Sequence, residues 1–452
     1  MRRGLLVGLA GLAVFAAAAA SAGGSRRLVG ARSIGAPVGV VNVNRIPEPV
    51  DDAQLAVGAN GTVAVAWDRF VGRTTAIRIA LRSPGGDRFG SLQTVSPPAE
   101  ESREPQIAIA PDGTVTAVWY SYPGRRIVVR EATRRPGQAR FGPSVVLSRA
   151  GTALSPRVAI SPDGTTTVVW SWEGSGGFVG IQEVTRPSGS QRFTAPVTLL
   201  RGHFAPYPVP LVTAGLDGST IVGWVRGGRL ETTTRARGAR SFKRPVRLAT
   251  HARSFALAQG DDGTTATAWE AEGRHPRIGM AIRRQGAETF TAKTALSIPG
   301  VVGARRFPSR QPAHGRIRFA ESGPVVAVSR DGTVTVAWLR PSLHGWVLDA
   351  AWRAPGAPRW TRRRAVEKKL DVNFPLAVAP SSHGVRIIWS ALAGGIYETT
   401  IASGAINPHH RLSKPGSDVF EPHAASTHDD HITVIWTKAV KAARIEQATE
   451  LP

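Results

Sequence analysis

From residue 50 onward the chain alternates short apolar runs with turn signals, as antiparallel β-sheets do. In one clear unit, the apolar run 106–110 precedes the tight-turn pair Asp112-Gly113, and 114–119 then alternates and is rich in β-formers. These two segments predict a hairpin. A third strand is predicted at 126–130 and a fourth at 144–147. Four strands joined as a meander are typical of one blade of a β-propeller.

The same unit recurs along the chain, and tryptophan is its most regular mark. Eight of the twelve tryptophans end the strand that follows the turn, at spacings of 45 to 69 residues, which is the blade-sized period of propellers. A second marker, an Arg-Phe pair or its equivalent, keeps the same period. The eight positions are Trp67, Trp119, Trp170, Trp224, Trp269, Trp338, Trp389 and Trp436.

The two ends of the chain predict how the ring closes. The last unit has only three strands, ending with 443–448, while the stretch 37–41 looks like an orphan fourth strand. Pairing the two would complete the last blade and protect sheet edges. We therefore predict an all-β fold, a single propeller of eight four-stranded blades over residues 36–452. Seven blades is the alternative, if the seventh or eighth unit packs differently.

The N-terminus reads as an export signal. Residues 1–22 combine a short basic start, an apolar run and the small-residue pattern Ala20-Ser21-Ala22, which favours cleavage after Ala22 over a retained anchor. Residues 23–35 would then form a linker. No later apolar run is long enough to span a membrane. We expect a secreted or cell-surface-associated monomer.

Composition narrows the chemistry. The absence of cysteine excludes disulfides and thiolate sites, and no metal or cofactor motif is present. The net charge of +25 favours anionic partners such as an acidic surface polymer, glycan or protein. Because nearly all of this charge is arginine scattered through every unit, the composition bias of a GC-rich genome is a strong alternative explanation, and nucleic-acid binding is disfavoured.

The repeated residues are best explained as scaffold. Each Asp-Gly pair suits a two-residue hairpin turn that needs positive φ angles, and it lacks the converging oxygens of a calcium loop. Each tryptophan is placed to fill the space between blades, in preference to a ring of sugar-stacking platforms. Individual function should therefore lie where the repeat is broken.

The loops opposite the Asp-Gly turns are the predicted binding face. They comprise the lead-in loops before each first strand and the loops after each tryptophan. A mixture of arginine and carboxylate there suits a charged or sugar-like ligand, although an ordinary solvated loop face has the same composition. The candidates are Arg103, Glu104, Arg157, Asp371 and Glu421 in the lead-in loops, and the aromatic residues Tyr120, Trp172 and Trp346 after the tryptophans.

One insertion breaks the period. About twenty extra residues at 299–319 carry several arginines among Gly and Pro, including Arg305 and Arg306. A long irregular loop in a compact fold is often functional, and this one would lie on the predicted binding face. A disordered excursion is the equal alternative.

No catalytic signature is present: the chain lacks an HExxH zinc pattern, a Gly-x-Ser-x-Gly elbow and a phosphate-binding glycine loop. The preferred hypothesis is a secreted, non-catalytic binding propeller. The alternative is a glycoside-active enzyme whose carboxylate pair would come from Glu104, Asp371 or Glu421. A third hypothesis is a structural surface protein that associates through charge.

The repeat resembles secreted bacterial β-propellers of the broad sialidase-like and BNR-repeat group over residues 36–452. The Asp-box of that group separates Asp from Gly, whereas here they are adjacent and Asp112 lies seven residues before Trp119. The resemblance implies glycan-directed function. Sialidases of this group use an arginine triad, a Tyr/Glu nucleophile pair and an acidic Asp, and none of these is matched by motif among the four tyrosines and surrounding residues here.

Overall fold

The computed structural model describes residues 40–43, 50–71, 74–272, 277–287, 289–291, 294–296, 323–342, 345–370, 376–382, 384–391, 395–402, 405–416, 419–427, 430–438 and 444–450. Over these residues the chain is all-β apart from a short 3-10 helix, Ser175–Gly177. The strands form eight sheets, and each sheet is one blade.

The first four blades are four-stranded meanders, and each runs from an inner to an outer strand. Blade 1 contains β2 Val50–Val57, β3 Val63–Val71, β4 Thr74–Arg82 and β5 Gln93–Thr94. Blade 2 contains β6 Glu101–Ile109, β7 Val115–Tyr122, β8 Val128–Arg134 and β9 Val145–Val146. Blade 3 contains β10 Thr152–Ile160, β11 Thr166–Glu173, β12 Val179–Arg186 and β13 Val197–Gly202. Blade 4 contains β14 Leu211–Ala214, β15 Thr220–Arg226, β16 Arg229–Arg235 and β17 Val246–Ala249.

The remaining blades continue this order, and blade 7 divides its outer strand in two. Blade 5 contains β18 Ala252–Gln259, β19 Thr265–Ala271, β20 Arg277–Arg283 and β21 Thr294–Ala295. Blade 6 contains β22 Val325–Val328, β23 Val334–Ser342, β24 Gly345–Arg353 and β25 Thr361–Leu370. Blade 7 contains β26 Ala377–Ser381, β27 Gly384–Ser390, β28 Ile396–Ala402, β29 Ala405–Ile406 and β30 His410–Arg411. Blade 8 contains β31 Val419–Ser426, β32 Ile432–Lys438, β33 Arg444–Glu450 and β1 Val40–Asn42.

The ring closes as the ends of the sequence predict. Strand β1 pairs antiparallel with β33, with Val40 opposite Ala448, and so supplies the outer strand of blade 8. The first strand of each blade contacts the first strand of the next, including β31 of blade 8 with β2 of blade 1. Eight blades and interlocked closure are therefore confirmed. The proposed leader and linker, residues 1–35, lie outside the described residues.

The core consists of one apolar layer between each pair of neighbouring blades. Each repeated tryptophan packs against the preceding blade: Trp119 of blade 2, for example, belongs to the same apolar cluster as Ile77 and Ile79 of blade 1. All eight of these tryptophans are buried. The phenylalanine of the second marker, such as Phe141, packs at the edge of the same layers. This confirms that the repeated aromatic residues are scaffold.

The Asp-Gly turns form a different turn from the two-residue hairpin that the sequence predicts. The amide of Gly113 donates to the carbonyl of Ala110 (2.9 Å) and that of Ala110 to the carbonyl of Thr114 (2.8 Å), so residues 111–113 form a three-residue loop. Only glycine has a positive φ, +85° at Gly113. Asp112 instead accepts the Thr114 amide through Oδ1 at 2.8 Å. This is a type I turn followed by a left-handed glycine.

Arginine at the end of the third strand joins neighbouring blades. Arg186 of blade 3 donates to the hydroxyls of Thr133 (2.8 Å) and Thr116 (2.8 Å) in blade 2. Arg235 of blade 4 makes the equivalent contacts with Thr185 and Thr167 of blade 3. These guanidinium groups are buried, so part of the chain's positive charge is structural.

The antiparallel order of each blade sets the two faces of the ring. The Asp-Gly turns join the first and second strands on one face, and the turns between the third and fourth strands lie on the same side. The lead-in loops and the loops after the tryptophans therefore share the opposite face, as the sequence predicts. We call this the loop face.

Candidate functional site

A β-bulge interrupts the first strand of several blades where the strand leaves the loop face. The pairing with the second strand shifts between Asp51 and Gln54, Arg103 and Gln106, Leu154 and Arg157, and Phe420 and His423. At each of these bulges one residue other than glycine has a positive φ: Asp52 (48°), Glu104 (52°), Ser155 (50°) and Glu421 (52°). A left-handed backbone is unfavourable for such residues and concentrates at functional positions.

Three of these bulges, in blades 1 to 3, supply the centre of the candidate site. The Glu104 amide lies 3.4 Å from Oδ2 of Asp68, which is buried beside the blade 1 tryptophan. The Ser155 hydroxyl lies 3.4 Å from Oε2 of Glu104. The bulges thus bring side chains from three blades together at the inner edge of the loop face. We call Asp52, Asp68, Glu104, Tyr120, Ser155 and Arg157 the mouth cluster.

Arg157 is the buried cation of the mouth cluster, with 3 % of its surface exposed. Its Nη1 donates to the carbonyl of Pro156 at 2.8 Å. Burial lowers the pKa of Arg157, whereas the negative charges of Glu104 and Asp52 act in the opposite direction. Since an arginine side chain stays protonated in proteins, these carboxylates face a permanent positive charge.

Tyr120 supplies the aromatic wall of the mouth cluster. Its ring meets that of Tyr122 edge to face, with centroids 5.7 Å apart. Burial raises the pKa of the Tyr120 phenol, and the negative charge of Glu104 raises it further. The phenol is therefore protonated at neutral pH and can donate a hydrogen bond but cannot act as a base.

Arg103 forms the outer border of the cluster. It lies opposite Tyr120 across the sheet and binds Glu101 through Nε at 2.7 Å and Nη2 at 2.7 Å. Burial acts to lower the pKa of Arg103, but the hydrogen bond and charge of Glu101 outweigh it, so the pKa is raised. Arg103 is thus held by a carboxylate of its own blade.

The residues predicted from the sequence fall into three groups. Arg103, Glu104, Arg157 and Tyr120 come together at the mouth. Glu421 occupies the equivalent bulge in neighbouring blade 8. Trp172 lies on the loop edge of blade 3, where its Nε1 donates to the carbonyl of Ala150 at 2.9 Å.

The other candidates are not brought to the mouth. Trp346 begins the third strand of blade 6, on the far side of the ring from blade 2, and is partly buried against the layer between blades 6 and 7. Asp371, Arg305 and Arg306, together with the whole 299–319 insertion, lie outside the described residues.

Sequence reasoning missed Asp68 and Ser155 as site residues. Asp68 directly follows Trp67 just as Tyr120 follows Trp119, so its position in the repeat was an available signal. Ser155 could be recognised from the series Glu104-Pro105, Ser155-Pro156 and Glu421-Pro422, in which a polar residue precedes proline at the same point of the first strand.

The mouth cluster presents the partly exposed carboxylates of Asp52 and Glu104 at the surface, while Tyr120 and Arg157, which carry hydrogen-bond donors, are buried. No group of three or more His, Asp or Glu side chains able to hold a metal ion occurs among the described residues. Within that same part of the chain, no helix has the length and apolarity needed to cross a membrane.

Comparisons with known proteins support the fold. The chain is similar in structure to the Dos1 propeller (8 % identity, TM-score 0.54, covering 91 % of this chain and 94 % of that one). It is also similar to a polysaccharide lyase, a PL25 ulvan lyase bound to -[GlcA(1-4)Rha3S]- (9 % identity, TM-score 0.51, covering 91 % and 98 %). The NanB sialidase of Streptococcus pneumoniae matches at 9 % identity and TM-score 0.40, covering 92 % and 98 %.

No family model matches the sequence, and no curated protein matches it. At these identities the structural likeness shows a β-propeller and nothing finer. The group of similar structures includes sialidases and polysaccharide lyases, while the specific BNR-repeat resemblance has no support from a family model.

Proposed function

We propose that this chain is an extracellular, non-catalytic binding propeller whose mouth cluster takes a carbohydrate. The observation that carries the proposal is the row of left-handed Asp52, Glu104, Ser155 and Glu421 on four consecutive blades. These four residues keep an unfavourable backbone conformation that glycine would adopt without strain. Such strain is typical of binding sites, where it sets the direction of a side chain. The predicted export signal and the ligand named for the similar lyase agree with a glycan outside the cell.

The chemistry of the cluster suits hydroxyl groups. Sugar hydroxyls both donate and accept, and the cluster pairs acceptors on Asp52 and Glu104 with donors on Arg157 and Tyr120. The buried, protonated Tyr120 phenol lies beside Glu104 and adds a hydrogen-bond donor next to this carboxylate. We therefore infer that the mouth binds one end or one unit of a carbohydrate chain.

The alternative is a sialidase-like, glycoside-active enzyme. It draws on the contact between Asp68 and the Glu104 backbone, which places two carboxyl-bearing residues side by side. Glycoside hydrolysis needs an acid and a second carboxylate on either side of the scissile bond. Turnover of a panel of chromogenic glycosides that is lost in Glu104→Gln would replace the binding proposal with this one.

Binding is tested on an array of neutral and acidic glycans, followed by calorimetry on any that bind. Glu104→Gln keeps the side-chain shape but removes the charged acceptor. A charged hydrogen bond contributes about 1.5 to 3 kcal/mol, so we expect roughly a tenfold or greater loss of affinity. Asp87→Asn is the matched control, because it removes one exposed carboxylate on the opposite face.

The result expected is at least one glycan bound by the wild-type protein and by Asp87→Asn, and bound much more weakly by Glu104→Gln. Equal affinity in all three proteins would place the carbohydrate elsewhere. A protein that binds no glycan on the array would overturn the proposal.

A further inference from the structure

Blade 3 extends its outer strand to the loop face further than its neighbours do. β13 has six residues, whereas β9 of blade 2 has two and β17 of blade 4 has four. The pairing of β12 with β13 shifts by one residue between Ile181 and Gln182. The carbonyl oxygen of Leu200 then lies so close to Gly180 that a Cβ at position 180 would be 1.8 Å from it. Glycine is therefore required at 180, and the extension carries Arg201 and the loop that follows it to the edge of the loop face.

Arg201 is held by a ring instead of by an acid. Its guanidinium carbon lies 4.1 Å from the centroid of Phe178, and the imidazole of His203 lies 4.2 Å from the same centroid. Arg201 and His203 are both exposed. Within the described part of the chain neither side chain forms a hydrogen bond or ion pair. The Phe178 ring supports the guanidinium through this contact, and the N–H groups have no hydrogen-bond partner among the described residues, an arrangement suited to bidentate contact with a carboxylate or sulfate.

Trp172 lies on the same side of the blade. It is directly opposite Gly180, which is directly opposite Arg201, so both side chains emerge on one face of the sheet, about 10 Å apart at ordinary strand spacing. The Trp172 ring covers the backbone of Gly174 and approaches Gly151. It is part-buried and therefore firmly placed.

The surroundings are basic. Arg126 of blade 2 adjoins Ile127, whose carbonyl accepts the amide of Ala153 at 3.0 Å, and Arg149 lies in the loop beneath Trp172. Both arginines are exposed, and in the described residues neither has an acidic partner. The nearby carboxylate, Glu173, accepts the hydroxyl of Tyr207 at 2.7 Å.

We propose that Arg201 and His203, stacked on Phe178 and flanked by Trp172, form a second subsite that binds an anionic sugar residue, carrying either a carboxylate or a sulfate. The strand order of blade 3 runs from Ser155 at the mouth to Arg201 at the rim, about 15 Å across four strands. A polymer bound at the mouth would pass over this subsite. The inference thus rests on the proposed function and names its ligand class as an acidic polysaccharide.

An acidic polysaccharide fits this face better than a nucleic acid does. Recognition of single-stranded nucleic acid uses successive aromatic platforms, but here the Phe178 ring is already contacted by Arg201 and His203. The anion-binding groups are confined to one end of the row.

The test compares two matched pairs of probes by calorimetry: polygalacturonate oligomers with their methyl esters, and dextran sulfate with dextran. We expect the acidic member of at least one pair to bind about tenfold more tightly than its neutral partner. Arg201→Gln should abolish that preference and leave binding of the neutral member unchanged. Phe178→Ala should weaken the preference, because the guanidinium loses its support.

Arg192→Gln is the matched control, since it removes an exposed arginine of the same blade on the opposite face. Equal loss in Arg192→Gln and Arg201→Gln would show diffuse attraction by net charge and overturn the subsite. Tighter, Arg201-dependent binding of single-stranded DNA would assign the subsite to nucleic acid instead. Thermal unfolding of each variant verifies that it is folded.

The proposed function and the subsite fail in different ways. If the neutral members bind in a Glu104-dependent manner but the acidic members bind no better, the subsite is wrong and the mouth proposal stands. If neither member of either pair binds, and the glycan array is also negative, both proposals are overturned.

Discussion

Replacing Arg186 by methionine tests whether the arginines at the ends of the third strands hold the ring together. The change keeps an apolar stem of similar length but removes three hydrogen bonds, to Thr133 (2.8 Å), Thr116 (2.8 Å) and Thr166 (3.2 Å). It also removes the cation that lies 5.0 Å from the centroid of Phe193. The bonds to Thr133 and Thr116 join blade 3 to blade 2, so the effect should appear as loss of global stability.

The magnitude follows from opposing contributions. Each hydrogen bond from a charged donor contributes about 1.5 to 3 kcal/mol, but burial of the guanidinium costs part of this, as the lowered pKa of Arg186 shows. We expect a net loss of about 3 kcal/mol. With an unfolding entropy of about 2.1 cal/mol/K per residue over roughly 400 residues, the melting temperature should fall by about 3 to 4 °C.

A pH series provides a second readout through Glu131. Burial raises the pKa of this carboxyl, and the positive charge of Arg186 counteracts the rise. Without Arg186 the folded-state pKa rises further above the unfolded value. An acid with a raised folded pKa stabilises the fold at low pH and loses that contribution as pH increases. The deficit of Arg186→Met should therefore be smaller at pH 4.5 than at pH 8.

Calorimetric unfolding of wild type, Arg186→Met and the exposed control Arg192→Gln measures both effects. The control should stay within about 0.5 kcal/mol of wild type, as surface substitutions usually do. An Arg186→Met protein that melts within 1 °C of wild type at both pH values would refute the argument that these arginines are structural.

Three further substitutions probe the scaffold. Burial lowers the pKa of His423 to about 4, so the neutral imidazole contributes stability above its unfolded pKa of 6.5. The free energy of unfolding should therefore fall by about 2 kcal/mol between pH 7 and pH 4.5. His423→Gln should remove that pH dependence in a pH series of urea unfolding, and an unchanged pH dependence would contradict the prediction. Gly113 has φ +85°, so Gly113→Ala should lower the free energy of unfolding by about 1 to 2 kcal/mol. Gly142→Ala is the control and should be nearly neutral, because its Cβ would meet only ordinary contacts. Similar losses of stability in both variants would show that the turn conformation is unimportant. Trp119→Phe loses ring volume and the 3.0 Å hydrogen bond to Ser121, so we expect about 2 kcal/mol of destabilisation by denaturant titration, and a loss below 0.5 kcal/mol would contradict its assignment to the core.

The arginine contacts also bear on the meaning of the basic charge. Composition alone left two explanations open, attraction to an anionic partner and a bias of the genome. The structure adds a third: Arg186, Arg235 and Arg283 each end a third strand and donate to hydroxyls of the preceding blade. Arg201, in contrast, is exposed, and among the described residues it stacks on Phe178 without forming a hydrogen bond or ion pair. The net charge therefore does not indicate a ligand, because it includes structural arginines. The position of each arginine in the fold is the better indicator of ligand binding.

The sequence by itself determined the architecture. The period of Trp119 and its seven equivalents favoured eight blades over seven, and the orphan N-terminal strand predicted the pairing now seen between Val40–Asn42 and β33. These features were readable because strands, turns and blade packing depend on local patterns repeated in register. The predicted turn type was wrong, since the hydrogen bonds of Ala110 and Gly113, and not the Asp-Gly pair alone, define the loop.

Only the tertiary structure decided which polar residues meet. Asp68 and Glu104 are 36 residues apart and come into contact because β6, the inner strand of blade 2, packs against β3, the second strand of blade 1. A bulge adds a residue to one strand and so changes which way the following side chains point. The alternation of polar and apolar positions in the sequence does not predict where a bulge occurs. The mouth cluster and the Arg201 subsite depend on such shifts, in β6 and in β13. The local pattern therefore specified the ring, and the deviations from that pattern specified its candidate sites.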